Sequence, residues 1–138
     1  EDVLRVGSDG MFTPDFVTAA GAGAEGMFLS SPNFSAFQAG YDAFLEKYQA
    51  KFGEAPVAAF HAHAYDATNM VFNAIEQVAV QNSDGSLSIP KGALRQAIFA
   101  TKDFPGLTGS LSCSPTGDCG APLIAVYEIT AREARVDR

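Results

Sequence analysis

Four side chains in one short stretch, His61, His63, Tyr65 and Asp66, are of the types that ligate metals or move protons. An H-x-H pair grips one ion on a strand, where alternate residues share a face, but on a helix the two rings diverge by about 200°. His63 and Asp66 can meet at i,i+3, and two ligands are not a site. The pattern therefore predicts structural histidines on a packed or partly wet helix, with no metal and no catalytic residue. Gly21-Ala22-Gly23-Ala24-Glu25-Gly26 satisfies the G-x-G-x-x-G pattern of a dinucleotide site, which needs a strand before it and a helix N-terminus after it. Here a helical pattern precedes and a strand-like run follows, so the glycines read as a connector and no cofactor is expected. None of the serines sits in a nucleophile elbow with partners for a triad. Asp9, in Gly7-Ser8-Asp9-Gly10, is of more interest. A loop at the carboxyl end of a parallel strand is where open α/β sheets bind ligands, and a carboxylate there can pair with a ligand ammonium. The alternative is an Asx-turn. Cys113 and Cys119 stand six apart around Ser114-Pro115-Thr116-Gly117-Asp118. That spacing allows a disulfide across a turn if the flanks pair as a hairpin, with free thiols or a metal pair as the other readings. A disulfide would place the protein outside the reducing cytosol.

The elements that must hold these residues follow from periodicity. Phe37, Tyr41, Phe44, Leu45, Tyr48 and Phe52 share one face of a helix, while Gln38, Asp42, Glu46, Lys47 and Lys51 lie elsewhere on it. Ser35 and Gln38 have capping-box spacing, Gly53 suits a left-handed cap, and Pro56 forbids easy continuation. From about Ala58 to Val80 a second helix is apolar nearly all round, with Phe60, Ala64, Ala67, Val71, Ile75 and Val78 along one broad face. Val3 to Val6 reads as a strand, and a helix begins near Thr13 with Pro14 in its first turn and Asp15 at the positive end of the dipole. It ends in the small residues Ala19 to Ala24. Gly26 to Ser30 reads as a strand, Gln81 to Ser88 as a loop, about Pro90 to Ala100 as a helix, and Leu107 to Ser112 and Ala121 to Ile129 as strands around the cysteine turn. Ala131 to Arg138 is polar enough to fray. Strands alternating with helices indicate an α/β layer fold.

Composition bounds the partners. A formal net charge of −7, with nine Lys and Arg and no basic cluster, argues against nucleic acid and against an anionic membrane surface. Asp66, Asn69 and Asn73 interrupt the longest apolar stretch before it reaches membrane-span length. Length and a 47% hydrophobic content suit one domain. Because Val3 to Val6 begins without any lead-in, the natural protein is expected to extend further at its N-terminus.

Six segments in order, VLRVGSDGM, AEGMFLSSP, FLEKYQAKFGEAPVAAF, AYDATNMVFNAI, ALRQAIFATKDFPGLTGSLSCSPTGDCG and APLIAVYEI, resemble the extracytoplasmic solute-binding proteins of branched-chain amino acid ABC transporters, the leucine/isoleucine/valine-binding type I periplasmic binding proteins. The resemblance implies an α/β fold of two doubly wound lobes that close over a ligand by a hinge, of which this chain looks like the last two-fifths. It places about 1–30 and 121–130 in the second lobe and about 31–112 in the first. It implies a non-enzymatic component of an ABC importer, binding a small amphiphilic solute, a branched-chain or other amino acid, and delivering it to a membrane permease. A ligand-sensing receptor ectodomain on the same scaffold, or a binder of an amide, urea or aromatic acid, is the alternative. Asp9 matches the acidic position that meets the ligand's α-ammonium, and Phe60 an aromatic position lining the ligand cleft. The cysteines depart from the family's usual turn. The implied location is periplasmic or extracellular, secreted or lipid-anchored. As an isolated fragment the chain is expected to hide its bare apolar faces by self-association.

Overall fold

The computed structural model describes residues 3–120 and 122–130. Ala121, the expected start of the closing strand, and Ala131 to Arg138, expected to fray, lie outside the described residues, as do Glu1 and Asp2. In chain order the elements are β1 (Val6–Gly7), α1 (Pro14–Ala20), β2 (Phe28–Pro32), α2 (Gly40–Phe52), α3 (His61–Val78), β3 (Val80–Gln81), β4 (Leu87–Ser88), α4 (Lys91–Phe99), β5 (Phe104–Gly106), β6 (Gly109–Leu111) and β7 (Ile124–Glu128). They fall into two compact units. One takes the described residues up to His61 together with those from Pro122 onward, and the other begins at Ala62 and ends ahead of Pro122.

The first unit is built on a three-stranded sheet in the order β1-β2-β7, with β1 parallel and β7 antiparallel to β2. The expected strand at Val3 to Val6 pairs at Val6 and Gly7, opposite Phe28 and Leu29, because among the described residues β2 is its neighbour in the sheet and the paired run of β2 starts at Phe28. Val3 and Leu4 stay exposed. The Arg5 side chain instead donates to the carbonyls of Gly23 and Glu25, fixing the small-residue connector. α1 starts as its sequence predicts: Thr13 Oγ1 accepts from the Phe16 N–H at 3.2 Å, Pro14 occupies the first turn, and Asp15 sits at the positive end of the dipole. One side of the sheet packs on Phe12, Val17, Ala24, Leu29, Ala59 and Ile129, which form the core of this unit.

The capping box expected at Ser35 and Gln38 does not form. The Ser35 hydroxyl donates to Asn33 Oδ1 at 2.7 Å, residues Phe34–Ala36 make a 3₁₀ turn, and Phe37 is extended, so α2 starts only at Gly40. Its aromatic face is present: Tyr41 is buried, and edge or tilted contacts run from Phe37 to Tyr41 at 4.9 Å, Phe44 to Tyr48 at 6.0 Å and Tyr48 to Phe52 at 4.6 Å. Gly53 ends the helix at φ 79°, donating its N–H to the Gln49 carbonyl at 2.9 Å.

In the second unit, α3 buries Ala62, Asp66, Met70 and Ala74. The broad face expected from apolar residues alone is thus the wrong one, since Ala64 and Ala67 are exposed and Val71, Ile75 and Val78 half-buried. A charged residue on the buried stripe misleads a count of apolar positions, and Asp66 is there because it has partners. The expected loop at Gln81 to Ser88 is a small hairpin. β3 and β4 pair around a turn in which Asp84 Oδ1 accepts from the Ser86 N–H at 3.0 Å and the Ser86 hydroxyl at 2.7 Å. α4 occupies the expected span, from a Pro90 cap to Ala100. The expected strand Leu107 to Ser112 is the second half of a tight hairpin: β5 and β6 pair from Phe104↔Leu111 to Gly106↔Gly109, with Leu107 and Thr108 as the turn. Met70, Leu111 and Cys113, with Phe104 against them, form the core of this unit.

Cys113 and Cys119 are joined by a disulfide. Their backbones make an isolated antiparallel bridge, but the flanks do not continue it as a hairpin, because β6 pairs with β5 and β7 with β2. The bridge closes a ring of seven residues, for which the loop-entropy estimate is roughly 2 kcal/mol.

Candidate functional site

The turn that carries Asp9 is placed by what comes just before it. At Gly7 an added Cβ would lie 2.7 Å from Leu29 Cδ2 and 2.8 Å from Met11 Sδ, so any larger residue would push these side chains aside where β1 meets the core. The chain then turns once as a 3₁₀ helix, Asp9–Met11, with the Met11 N–H donating to the Ser8 carbonyl and the Phe12 N–H to the Asp9 carbonyl, both at 3.0 Å. Main-chain groups close this turn, which leaves the Asp9 carboxylate exposed at the carboxyl end of a parallel strand while Phe12 is drawn into the core.

Phe60 stands immediately before α3 and keeps 43% of its surface exposed. Its neighbour Ala59 is buried in the same core cluster as Phe12. The two residues singled out from sequence are therefore each held by a chain neighbour anchored in one core, and both belong to the first unit.

His61 and His63 lie on α3, two positions apart on a helix, as the sequence pattern predicts. Among the described residues no three His, Cys, Asp or Glu side chains converge to hold a metal ion. The two histidines have different surroundings. His61 is bonded to Tyr41 and to Ala58, each at 2.6 Å. Burial pushes the His63 imidazole below its ordinary value, with the Asp66 carboxylate pulling the smaller way back up. Asp66 is 2% exposed and clamps the β5–β6 turn: Oδ1 accepts from the Leu107 N–H at 2.8 Å, and Oδ2 from the Thr108 N–H at 2.8 Å and the Thr108 hydroxyl at 2.7 Å. Gly106 is required beside it, since a Cβ there would sit 2.6 Å from Asp66 Oδ2. Sequence reasoning missed this role because the partners lie 41 and 42 residues away. The local signal was a carboxylate in the middle of a helix whose neighbouring turns are rich in Ala, Met, Val and Phe, which calls for a partner if that side is buried.

The glycine-rich segment 21–26 follows α1 and precedes β2, the reverse of the order a dinucleotide site needs. Among the described residues, open clefts of the second unit include the following two. One, of about 400 Å³, runs along Tyr65, Asn69 and Asn73 of α3 beside Phe104 and Pro105. The other, of about 570 Å³, lies between Arg95 and Phe99 of α4 and Pro115 of the disulfide ring. No helix among the described residues is long and apolar enough to cross a membrane.

A sequence profile of the periplasmic binding protein family matches residues 1–130. The chain belongs to that family. Among solved structures, a leucine-binding protein of Thermotoga maritima superposes with a TM-score of 0.76 at 24% identity over 99% of this chain and 36% of its own. The branched-chain amino acid transporter substrate-binding protein of Streptococcus pneumoniae, in complex with isoleucine, superposes with a TM-score of 0.75 at 28% identity over 99% of this chain and 36% of its own. A leucine-, isoleucine-, valine-, threonine- and alanine-binding protein of Brucella ovis, in a closed conformation, gives a TM-score of 0.68 at 22% identity over 95% of this chain and 32% of its own. No curated protein sequence matches significantly. The fold is thus the α/β fold of the type I periplasmic binding proteins, and the chain spans about a third of the length of the solved relatives it matches.

Proposed function

We propose that this periplasmic binding protein chain is part of the extracytoplasmic substrate-binding component of an ABC importer that takes a branched-chain or other amino acid. The observation that carries the reading is the family match over residues 1–130 together with the likeness to the isoleucine-bound Streptococcus pneumoniae protein. Asp9 supplies the charge for the ligand's α-ammonium, as an exposed carboxylate at the carboxyl end of a parallel strand, and Phe60 supplies an apolar wall for its side chain. Binding and release, rather than a chemical step, are the work of these groups. Residues of about 1–30 and 121–130 contribute to one lobe of the complete fold and about 31–112 to the other, and the loaded protein delivers its ligand to a membrane permease. The site of action is periplasmic or extracellular, in keeping with the Cys113–Cys119 disulfide.

The test is calorimetry of the full-length protein with leucine and isoleucine. Asp9→Ala weakens binding at least about tenfold, a loss of about 1.4 kcal/mol. Unchanged affinity would remove Asp9 from the site. A thermal-shift screen of the same protein against amino acids, amides and aromatic acids identifies the ligand class, since a ligand that binds only the folded state raises the melting temperature.

A further inference from the structure

His61, next to Phe60 in the chain, is bonded at both ring nitrogens. Its Nδ1 lies 2.6 Å from the Ala58 carbonyl oxygen, and a carbonyl only accepts, so Nδ1 carries a proton. In the neutral ring Nε2 then bears the lone pair and accepts the Tyr41 hydroxyl proton at 2.6 Å. The ring also has aromatic neighbours. It lies nearly parallel to Phe44, at 5.9 Å and 5° between planes, and to Phe34, at 6.2 Å and 10°. Tyr41, which fixes the far nitrogen, is itself buried on α2. The Nδ1 bond closes a four-residue turn, Ala58 to His61, and the two residues inside it are Ala59 and Phe60. Ala59 is locked from below by the core. The imidazole ties down the other end, so the short turn that carries Phe60 is anchored on both sides of it while the Phe60 side chain stays partly exposed.

We propose that His61, held in its Nδ1–H tautomer by Ala58 and Tyr41, is the positioning residue that sets the Phe60 wall against the apolar side chain of an amino-acid ligand. This rests on the reading of Phe60 given above, and it adds that discrimination between large and small side chains is set by a residue that does not touch the ligand. An imidazole bonded at both nitrogens among aromatic neighbours is a stiff support, and a supporting shell of this kind decides whether a contact residue is within reach of its target.

Two measurements on the full-length protein test it. Without ligand, the imidazole nitrogen spectrum of ¹⁵N-labelled protein shows His61 as the Nδ1–H tautomer, and the backbone order parameter at Phe60 is near about 0.85. In His61→Leu it falls below about 0.6, and in His61→Asn, whose side-chain amide can still donate to Ala58, it recovers toward the original value. An Nε2–H tautomer, or an unchanged Phe60 in His61→Leu, overturns the proposal. With ligand, His61→Leu weakens leucine about tenfold and alanine hardly at all, whereas equal losses for both amino acids would mean a merely structural residue and would also overturn it. If the unaltered protein binds neither amino acid, it is the ligand reading that fails, and the order parameter still decides whether His61 holds Phe60.

Discussion

Asp66 ties α3 to the β5–β6 turn in the second unit. Three donors from the half-buried turn end on its two oxygens, and the carboxylate that receives them is itself buried, so its removal leaves all three without their acceptor. Asp66→Ala is expected to cost about 3 kcal/mol in urea unfolding, while Gly106 and the β5–β6 turn lose their anchor. A loss below about 1 kcal/mol would mean that the turn forms without the clamp. His63, one turn before Asp66, makes stability depend on pH. Its folded-state value is depressed by burial, so as pH falls the unfolded chain takes up the proton first. Stability is therefore full above the ordinary histidine value of 6.5 and declines as pH drops from there toward the lowered folded-state value. His63→Gln should flatten that decline in denaturation series run between pH 7.5 and about 5. The sequence placed His63 and Asp66 side by side through helical spacing. It had no means of showing that Asp66 points into the fold, because Leu107 and Thr108 come close only through the hairpin.

At the scale of elements, α2 shows which signals are local and which are not. Its end was legible: Gly53 is the residue that accepts φ 79° without cost, and it carries the closing N–H to Gln49. Gly53→Ala should lower the midpoint of thermal unfolding by an amount equivalent to about 1 kcal/mol, with open space around the new methyl so that the cost is one of backbone conformation alone. An unchanged midpoint would show that the cap is dispensable. The start of α2 was not legible, since Ser35 has the spacing of a capping box but gives its proton to Asn33, two residues back. For α3 the sequence had the helix right and the buried face wrong. Hydrophobicity ranks Val71 and Ile75 above Asp66, whereas burial follows the clamp and the small residues Ala62 and Ala74 that let the helix come close. The same holds for β5 and β6: Gly106 and Gly109 bracket a two-residue turn that reads as one strand until pairing is seen.

For the molecule as a whole, the sheet of the first unit is the telling feature. Register puts Val6, Val126 and Ile124 on the face opposite Leu29, and they are 65, 67 and 59% exposed. β-branched residues so far out of contact are the sort that helices cover in doubly wound folds. Expressed as these 138 residues alone, the chain is therefore expected to self-associate at micromolar concentration, with Val126→Lys shifting sedimentation toward monomer. A monomeric chain without that change would refute this. By itself the sequence determined the helix limits set by Thr13, Pro14 and Gly53, the reversed order around the glycine-rich connector, and the family. Each of these depends on neighbours in the chain, on spacing within one element or on motif order. Tertiary structure alone decided that β7 pairs with β2, that Asp66 is a buried acceptor, and that Tyr41 holds the far nitrogen of His61. Those contacts join residues brought together by folding, and their geometry depends on packing that no local pattern encodes.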